Sequence, residues 1–244
     1  MKKKKIIFTG GGGRFGKVLK KYKNNYDIYF PSKNQLDITK FKEAENYIKK
    51  IKPKYLIHAA ALSRPMEIHD KYMSKSIDTN IIGTSNIVKI CSSLKIKLIY
   101  FSTNYVYSEK SGCYNERDPV LPFNRYGWSK LGGEAAVHMY KNSLILRICM
   151  TEKPFAYSKA FANMRTNFIF HDELANNLFK LIKLKGIINV GGKPQSIFNF
   201  AKKYNKKVKK IFAKKKDAKK FPLNSTMNIS KYKDFLNKDK KVKN

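Results

Sequence analysis

The feature that most constrains this chain is a glycine turn placed directly after an apolar run. Ile6-Ile7-Phe8 leads into Thr9-Gly10-Gly11-Gly12-Gly13-Arg14-Phe15-Gly16, which reads as Thr-Gly-x-x-Gly-x-x-Gly. A strand that enters such a turn and leaves it as a helix can bring its backbone close to a ligand, because glycine has no Cβ in the way. The start of the helix adds free N–H groups and the positive end of a dipole, which suit a pyrophosphate. On its own the turn could be no more than a turn.

A second motif gives it meaning. Tyr126-Gly127-Trp128-Ser129-Lys130 places a tyrosine and a lysine four apart, on one face of a helix. A phenol has a pKa of about 10 in water and is a reluctant acid–base group at neutral pH. An ammonium one turn away stabilises the phenolate and lowers that value. Tyr126 can then give a proton to a carbonyl oxygen as hydride reaches the carbon, with Thr103 holding that oxygen. The plainer alternative is a core tyrosine beside an exposed lysine. The glycine turn in the same chain favours the chemical reading.

The apolar pattern supplies the scaffold. Strands are expected at 4–9, 27–30, 55–58, 96–102, 144–148 and 186–190. Helices are expected at 14–23, 40–51 (with Thr39 as its cap), 66–94 (interrupted), 126–141, 172–184 and 196–204. Lysine-rich residues 202–220 read as a solvated helix face or a loop. This β-α alternation predicts an α/β fold, a Rossmann-type doubly wound parallel sheet with a small C-terminal substrate-binding portion. Residues 1–150 would be the dinucleotide-binding domain and 151–244 the substrate-binding portion and basic tail, with no linker to separate them. Ligands in such a sheet sit outside the C-terminal strand ends.

Composition excludes several classes. With 244 residues and 42% hydrophobic content the chain can build a core, but no apolar stretch approaches the ~20 residues that span a membrane. The apolar run after Lys2 to Lys5 is three residues long, too short for a signal peptide. Cys91, Cys113 and Cys149 are odd in number and scattered, which suits free thiols in a reducing cytoplasm. His58, His69, His138 and His171 make no ligand spacing with them, so no metal is expected. The net charge of +35 could serve a polyanion. Yet only six of the 52 basic residues are arginine, at positions 14, 64, 117, 125, 147 and 165, and the other 46 are lysine. Nucleic-acid readers favour arginine forks. The charge therefore reads as a lysine-rich surface that attracts anionic substrates, without specific nucleic-acid binding or membrane insertion.

With both motifs intact, the chain resembles the extended short-chain dehydrogenase/reductase family, and within it the dTDP-4-dehydrorhamnose reductases. The residues that carry the narrower resemblance are Leu36-Asp37-Ile38-Thr39, His58-Ala59-Ala60-Ala61, Ser102-Thr103-Asn104-Tyr105-Val106-Tyr107, Asn115-Glu116, Pro122 through Gly127, Phe221-Pro222-Leu223-Asn224-Ser225 and Ile229-Ser230-Lys231. The resemblance implies a cytoplasmic reductase acting on the 4-keto group of a nucleotide-linked 6-deoxysugar, in the making of a cell-surface polysaccharide, and is compatible with a homodimer. It implies Thr103, Tyr126 and Lys130 as the catalytic set. Gly10, Gly13, Arg14, Phe15 and Gly16 would hold the pyrophosphate, with Asp37 and Ile38 at the adenine and Ala59, Ala60 and Ala61 on the adenosine and nicotinamide side. Asn104 and Tyr105 would face the sugar together with Thr103 and Tyr126, and Lys130 would also reach the nicotinamide ribose.

The chain departs from that pattern in places. Asn104 stands where the subfamily usually has aspartate, Phe221 where it has arginine, and the stretch from Arg147 to the helix near 172 is short. No acidic residue follows the second strand, where Phe30-Pro31-Ser32-Lys33 stands. An aspartate there would bind ribose hydroxyls and repel a 2′-phosphate. Ser32 and Lys33 favour NADP(H) over NAD(H). Two other functions stay in view. An epimerase or dehydratase would use the same pair with recycled NAD, although dehydratases generally place Asp-Glu after the threonine, where Asn104-Tyr105 stands. A non-catalytic NADP-binding module is the other, since the regulatory subunit of methionine adenosyltransferase is similar in sequence.

Overall fold

The computed structural model describes residues 3–109, 111–214, 217 and 221–241. The apolar run forms β1 (Lys4–Thr9), and Ile6, Ile7 and Phe8 are fully buried in it. The glycine turn then opens α1 (Arg14–Leu19). Alternation continues through β2 (Tyr26–Tyr29), α2 (Phe41–Ile51), β3 (Tyr55–His58), the short α3 (Ile68–Lys71) and α4 (Met73–Ser76), a π-helical segment Ile77–Ile82, and α5 (Gly83–Ser93). After β4 (Lys97–Thr103) come a 3-10 turn Asn104–Val106, α6 (Arg125–His138) and β5 (Ser143–Ile148). The remainder holds β6 (Met150–Thr151), β7 (Lys159–Phe161), β8 (Arg165–Thr166), β9 (Ile169–Phe170), α7 (His171–Leu181), β10 (Gly186–Val190), β11 (Gln195–Ser196), α8 (Ile197–Tyr204), β12 (Lys209–Ile211) and α9 (Ser230–Lys241).

One six-stranded sheet has the order β10-β5-β4-β3-β1-β2. The β1–β2, β1–β3 and β3–β4 pairs are parallel, and Thr9 lies opposite His58. The order reverses at β1, so the C-terminal ends of β1 and β3 flank the switch point, where open α/β sheets bind ligands. This is the expected Rossmann-like α/β fold.

The helices expected at 126–141 and 172–184 run as Arg125–His138 and His171–Leu181, and two others differ for a local reason. The first stops at Leu19 instead of reaching 23, because an asparagine turn takes over the chain: Asn24 accepts from the Tyr26 N–H at 2.8 Å and donates to the Tyr22 carbonyl at 3.1 Å. The helix expected at 40–51 starts without its Thr39 cap. Lys40 is the N-cap with no side-chain bond, and the Thr39 hydroxyl donates to Asp37 at 2.7 Å.

The chain divides into two compact units. The first comprises Met1–Ser102, Ser129–Leu146 and Leu181–Ile187, and the second Thr103–Trp128, Arg147–Lys180 and Ile188–Asn244. In the first, Ile7, Leu56 and Leu98 from the sheet pack with Ala44 and Ile48 of α2, Ile87 and Ile90 of α5 and Val137 of α6. In the second, β11 pairs with β8, β12 with β7 and β6 with β9. Its aromatic core joins Phe155, Phe170, Phe200 and Val208. Ser196 caps α8 by accepting from the Asn199 N–H. Of the lysine-rich stretch 202–220, the first part lies in α8 and β12, and residues 215, 216 and 218–220 fall outside the described set. Among the described residues no helix is long and apolar enough to cross a membrane.

Candidate active site

In the first unit the glycine turn is built for close approach. Gly10 has φ +82°, and a β-carbon there would lie 2.8 Å from the Ala60 nitrogen. Any side chain would force β1 and β3 apart just where they end. The outer side of the turn is open. A β-carbon on Gly12 would meet nothing within 4 Å, and one on Gly13 would meet only the Gly10 oxygen, at 3.1 Å. Gly13 is the N-cap of α1 and forms no side-chain cap, so its helix-opening N–H groups have no such partner. Phe15 and Gly16 are buried beneath the turn and Arg14 is exposed. This open backbone cradle at a helix start fits a dinucleotide pyrophosphate.

The turn rests on a buried brace. His58 is fully buried and spans two hydroxyls, with Nδ1 2.8 Å from Thr9 Oγ1 and Nε2 3.1 Å from Thr84 Oγ1. Thr9 Oγ1 also accepts from the Ala60 N–H at 3.2 Å, which ties the Ala59 to Ala61 segment to the end of β1. Burial, with Lys130 nearby, pushes the His58 pKa down to about 3, so the ring is neutral at ordinary pH.

The loop after β2 sits beside the turn, since a β-carbon on Gly11 would lie 2.8 Å from that of Phe30. The Ser32 N–H and hydroxyl both donate to Gln35. Lys33 is 81% exposed and lies 3.8 Å from Asp37. The Asp37 carboxylate accepts from the N–H and hydroxyl of Thr39 and so closes its own loop. Ile38 is buried, and its carbonyl accepts from Asn86 at 3.0 Å.

Lys130 lies one turn beyond Tyr126 on α6 and is 3% exposed. Its ammonium sits 4.2 Å from the centre of the Tyr100 ring, and the Tyr100 hydroxyl donates to its carbonyl. Burial pushes its pKa down to about 7, against the opposing pull of Glu134. The residue before it is anchored too: Asn80, in the π-helical segment, donates to Ser129 Oγ and exchanges two hydrogen bonds with the Leu62 backbone, all at 2.8 Å. Sequence reasoning passed over Asn80, the His58 brace and the Ser102 bond to Glu134, because those partners lie far away along the chain; Glu134 itself stands one helical turn from Lys130 and could have been read from that spacing.

The second unit holds Thr103, Asn104, Tyr105 and Tyr126. Thr103 caps the 3-10 turn, and its Oγ1 accepts from the Tyr105 N–H at 3.3 Å. The Tyr105 ring packs edge-on against Tyr126, with centroids 5.8 Å apart, and against Phe123 at 5.4 Å. Gly127 makes this approach possible, since a β-carbon there would run into the Tyr105 carbonyl oxygen. Asn104 is buried and donates to the Ser225 carbonyl at 3.3 Å. An ionised aspartate at 104 could only accept, and it would face that carbonyl oxygen unfavourably. The amide and the late segment therefore suit each other. Phe221, the other departure, sets its ring 6.5 Å from that of Phe161.

A glycine turn at the switch point of a parallel sheet, and a Tyr-x-x-x-Lys helix whose lysine is buried against Tyr100 of the preceding strand β4, define an extended short-chain dehydrogenase/reductase. The match to known proteins is narrower: the chain belongs to the RmlD substrate-binding domain family, whose model covers residues 4–186. It is 30% identical over 155 residues to methionine adenosyltransferase 2 subunit beta of Xenopus tropicalis, covering 59% of this chain and 46% of that one. It is 27% identical over 191 residues to dTDP-4-dehydrorhamnose reductase of Aggregatibacter actinomycetemcomitans, covering 76% and 60%. The chain thus spans less than two thirds of the length of these relatives. Among solved structures, dTDP-4-dehydrorhamnose reductase of Bacillus anthracis in complex with NADP superimposes with a TM-score of 0.85 at 26% identity, over 95% of this chain and 92% of that one.

Proposed function

We propose that this protein is an NAD(P)H-dependent reductase of the 4-keto group of a nucleotide-linked 6-deoxysugar, acting in the cytoplasm on the way to a cell-surface polysaccharide. The observation that carries the reading is Lys130, a buried ammonium one helical turn from Tyr126 in a chain with an open glycine cradle. Gly10, Gly13, Arg14, Phe15 and Gly16 hold the pyrophosphate, Asp37 and Ile38 flank the adenine, and Ala59 to Ala61 line the adenosine and nicotinamide side. Bound nicotinamide supplies the hydride. Tyr126 gives its phenolic proton to the substrate's carbonyl oxygen, Thr103 steadies that oxygen with a hydrogen bond, and Lys130 favours the phenolate left behind. Asn104 and Tyr105 orient the sugar. Residues 1–150 carry cofactor binding, and 151–244 contribute to the substrate side.

NADP(H) is the preferred cofactor in this reading. The largely exposed Lys33 and Ser32 follow β2 with no carboxylate at the strand end. The similar Bacillus anthracis reductase binds NADP.

The test is a panel of nucleotide 4-keto-6-deoxysugars incubated with NADPH and NADH, following the reduced cofactor by absorbance. Oxidation with at least one keto-sugar supports the reductase. The similarity to methionine adenosyltransferase 2 subunit beta motivates a second reading, a nucleotide-binding module without turnover. Tight NADPH binding with no oxidation across the panel would select it.

A further inference from the structure

Lys130 is an expensive group to bury, because an ammonium taken out of water needs a compensating partner. Among the described residues, titratable groups on three elements of the first unit bear on it. His58 on β3 is neutral and, when charged, would repel it. Tyr100 on β4 sets its ring face beneath the ammonium. Glu134 lies one turn further along α6, on the same face as Lys130, and is 3% exposed. It is itself held, because the Ser102 hydroxyl at the end of β4 donates to its carboxylate at 2.6 Å. Glu134 opposes the discharge of Lys130 that burial alone would produce.

We infer that Glu134, clamped by Ser102, is the counter-charge that keeps Lys130 an ammonium, and so acts as a positioning residue for the Tyr126–Lys130 pair. The inference rests on the reductase reading for its catalytic meaning, while its electrostatic content concerns the protein alone. The Ser102 hydroxyl donates to the Glu134 carboxylate and fixes its position one turn from Lys130, which is the geometry a charge partner for a buried cation needs. Without it, the interior of the unit would favour a neutral amine, and a neutral amine does little to stabilise a phenolate.

The experiment is a double-mutant cycle read by urea unfolding, using Glu134→Gln, Lys130→Met and the pair together, at pH 6 and pH 9.5. Glutamine keeps the size and the bond to Ser102 and removes the charge. The expected result at pH 6 is a large drop in urea midpoint for Glu134→Gln in the parent and a small one in the Lys130→Met background. At pH 9.5, where Lys130 is discharged, the two drops become equal. Equal drops at pH 6 overturn the inference, since Glu134 would then be only a packing partner. If Glu134→Gln does not fold alone but folds with Lys130→Met, the counter-charge role is supported. If it fails in both backgrounds while Lys130→Met folds, the role is overturned.

A second readout uses turnover. Glu134→Gln moves the alkaline limb of the kcat profile to lower pH by a unit or more, a tenfold loss above the limb, with KM nearly unchanged. An unmoved limb counts against the inference. Coupling in the unfolding cycle without turnover of any keto-sugar would leave the counter-charge in place and remove the reductase reading, so the two failures are distinguishable.

Discussion

Acidification should weaken this protein through His58. His58 is fully buried and braces Thr9 against Thr84 directly beneath the glycine turn. Its pKa is about 3 in the folded state against 6.5 ordinarily. The unfolded chain therefore takes up a proton below pH 6.5 that the folded chain refuses, so stability falls as pH falls from 6.5 towards 3. Each pH unit over which the two states differ by one proton is worth about 1.4 kcal/mol. By pH 5 the loss from His58 is ~2 kcal/mol, and it grows to ~4 kcal/mol near pH 3. Urea unfolding followed by circular dichroism at pH 7.5, 6 and 5 measures this, with His58→Gln as the reference because glutamine does not titrate. Carboxylates such as Asp37 titrate in both proteins and cancel in the difference. The parent should lose ~2 kcal/mol more than His58→Gln between pH 7.5 and 5, a relative shift in urea midpoint of about 1 M. Equal losses in the two proteins would refute the buried neutral brace.

Other perturbations separate fold from chemistry. Gly10→Ala should lower the melting temperature, since φ +82° alone costs about 1–2 kcal/mol for an L-residue and Ala60 blocks the side chain. Gly13→Val should fold normally yet lose at least tenfold in NADPH affinity by calorimetry, because its side chain would occupy the open face of the cradle; unchanged affinity would remove the pyrophosphate site. Tyr126→Phe should keep cofactor affinity and lose ~10²–10⁴-fold in turnover, with Thr103→Val losing less; near-parent turnover in Tyr126→Phe would exclude the phenol from the reaction. Lys33→Asp should weaken NADPH binding more than NADH binding at fixed ionic strength, and equal weakening would reduce Lys33 to general charge.

Much of the scaffold was legible because its determinants are local. The strands expected at 4–9 and 186–190 have those bounds in the structure, since apolar runs ended by glycine or flanked by polar residues leave little choice. Thr39 shows where local reasoning stops. Its hydroxyl had two uses, and Asp37 two residues earlier took it. The two-residue strands β6, β8, β9 and β11 carry no periodicity long enough to read. In the candidate site, the glycine turn and the Tyr126–Lys130 spacing are sequence patterns. The His58 brace and the Ser102 clamp on Glu134 are not, since Thr84 and Ser102 are neighbours that only packing supplies. Asn104 looked like an anomaly until Ser225, 121 residues away, appeared as its partner.

That last bond has a consequence for how the protein is made. The turn at Thr103 to Val106 emerges from the ribosome long before the segment that supports it. Asn104 waits for Ser225, and the Cys113 N–H waits for the Thr226 hydroxyl, 113 residues later. At typical synthesis rates the interval is on the order of ten seconds. During it the Asn104 amide and the Cys113 N–H lack the partners that Ser225 and Thr226 later provide. Closure of the second unit is therefore a late event in the life of the nascent chain, made by contacts of high sequence separation.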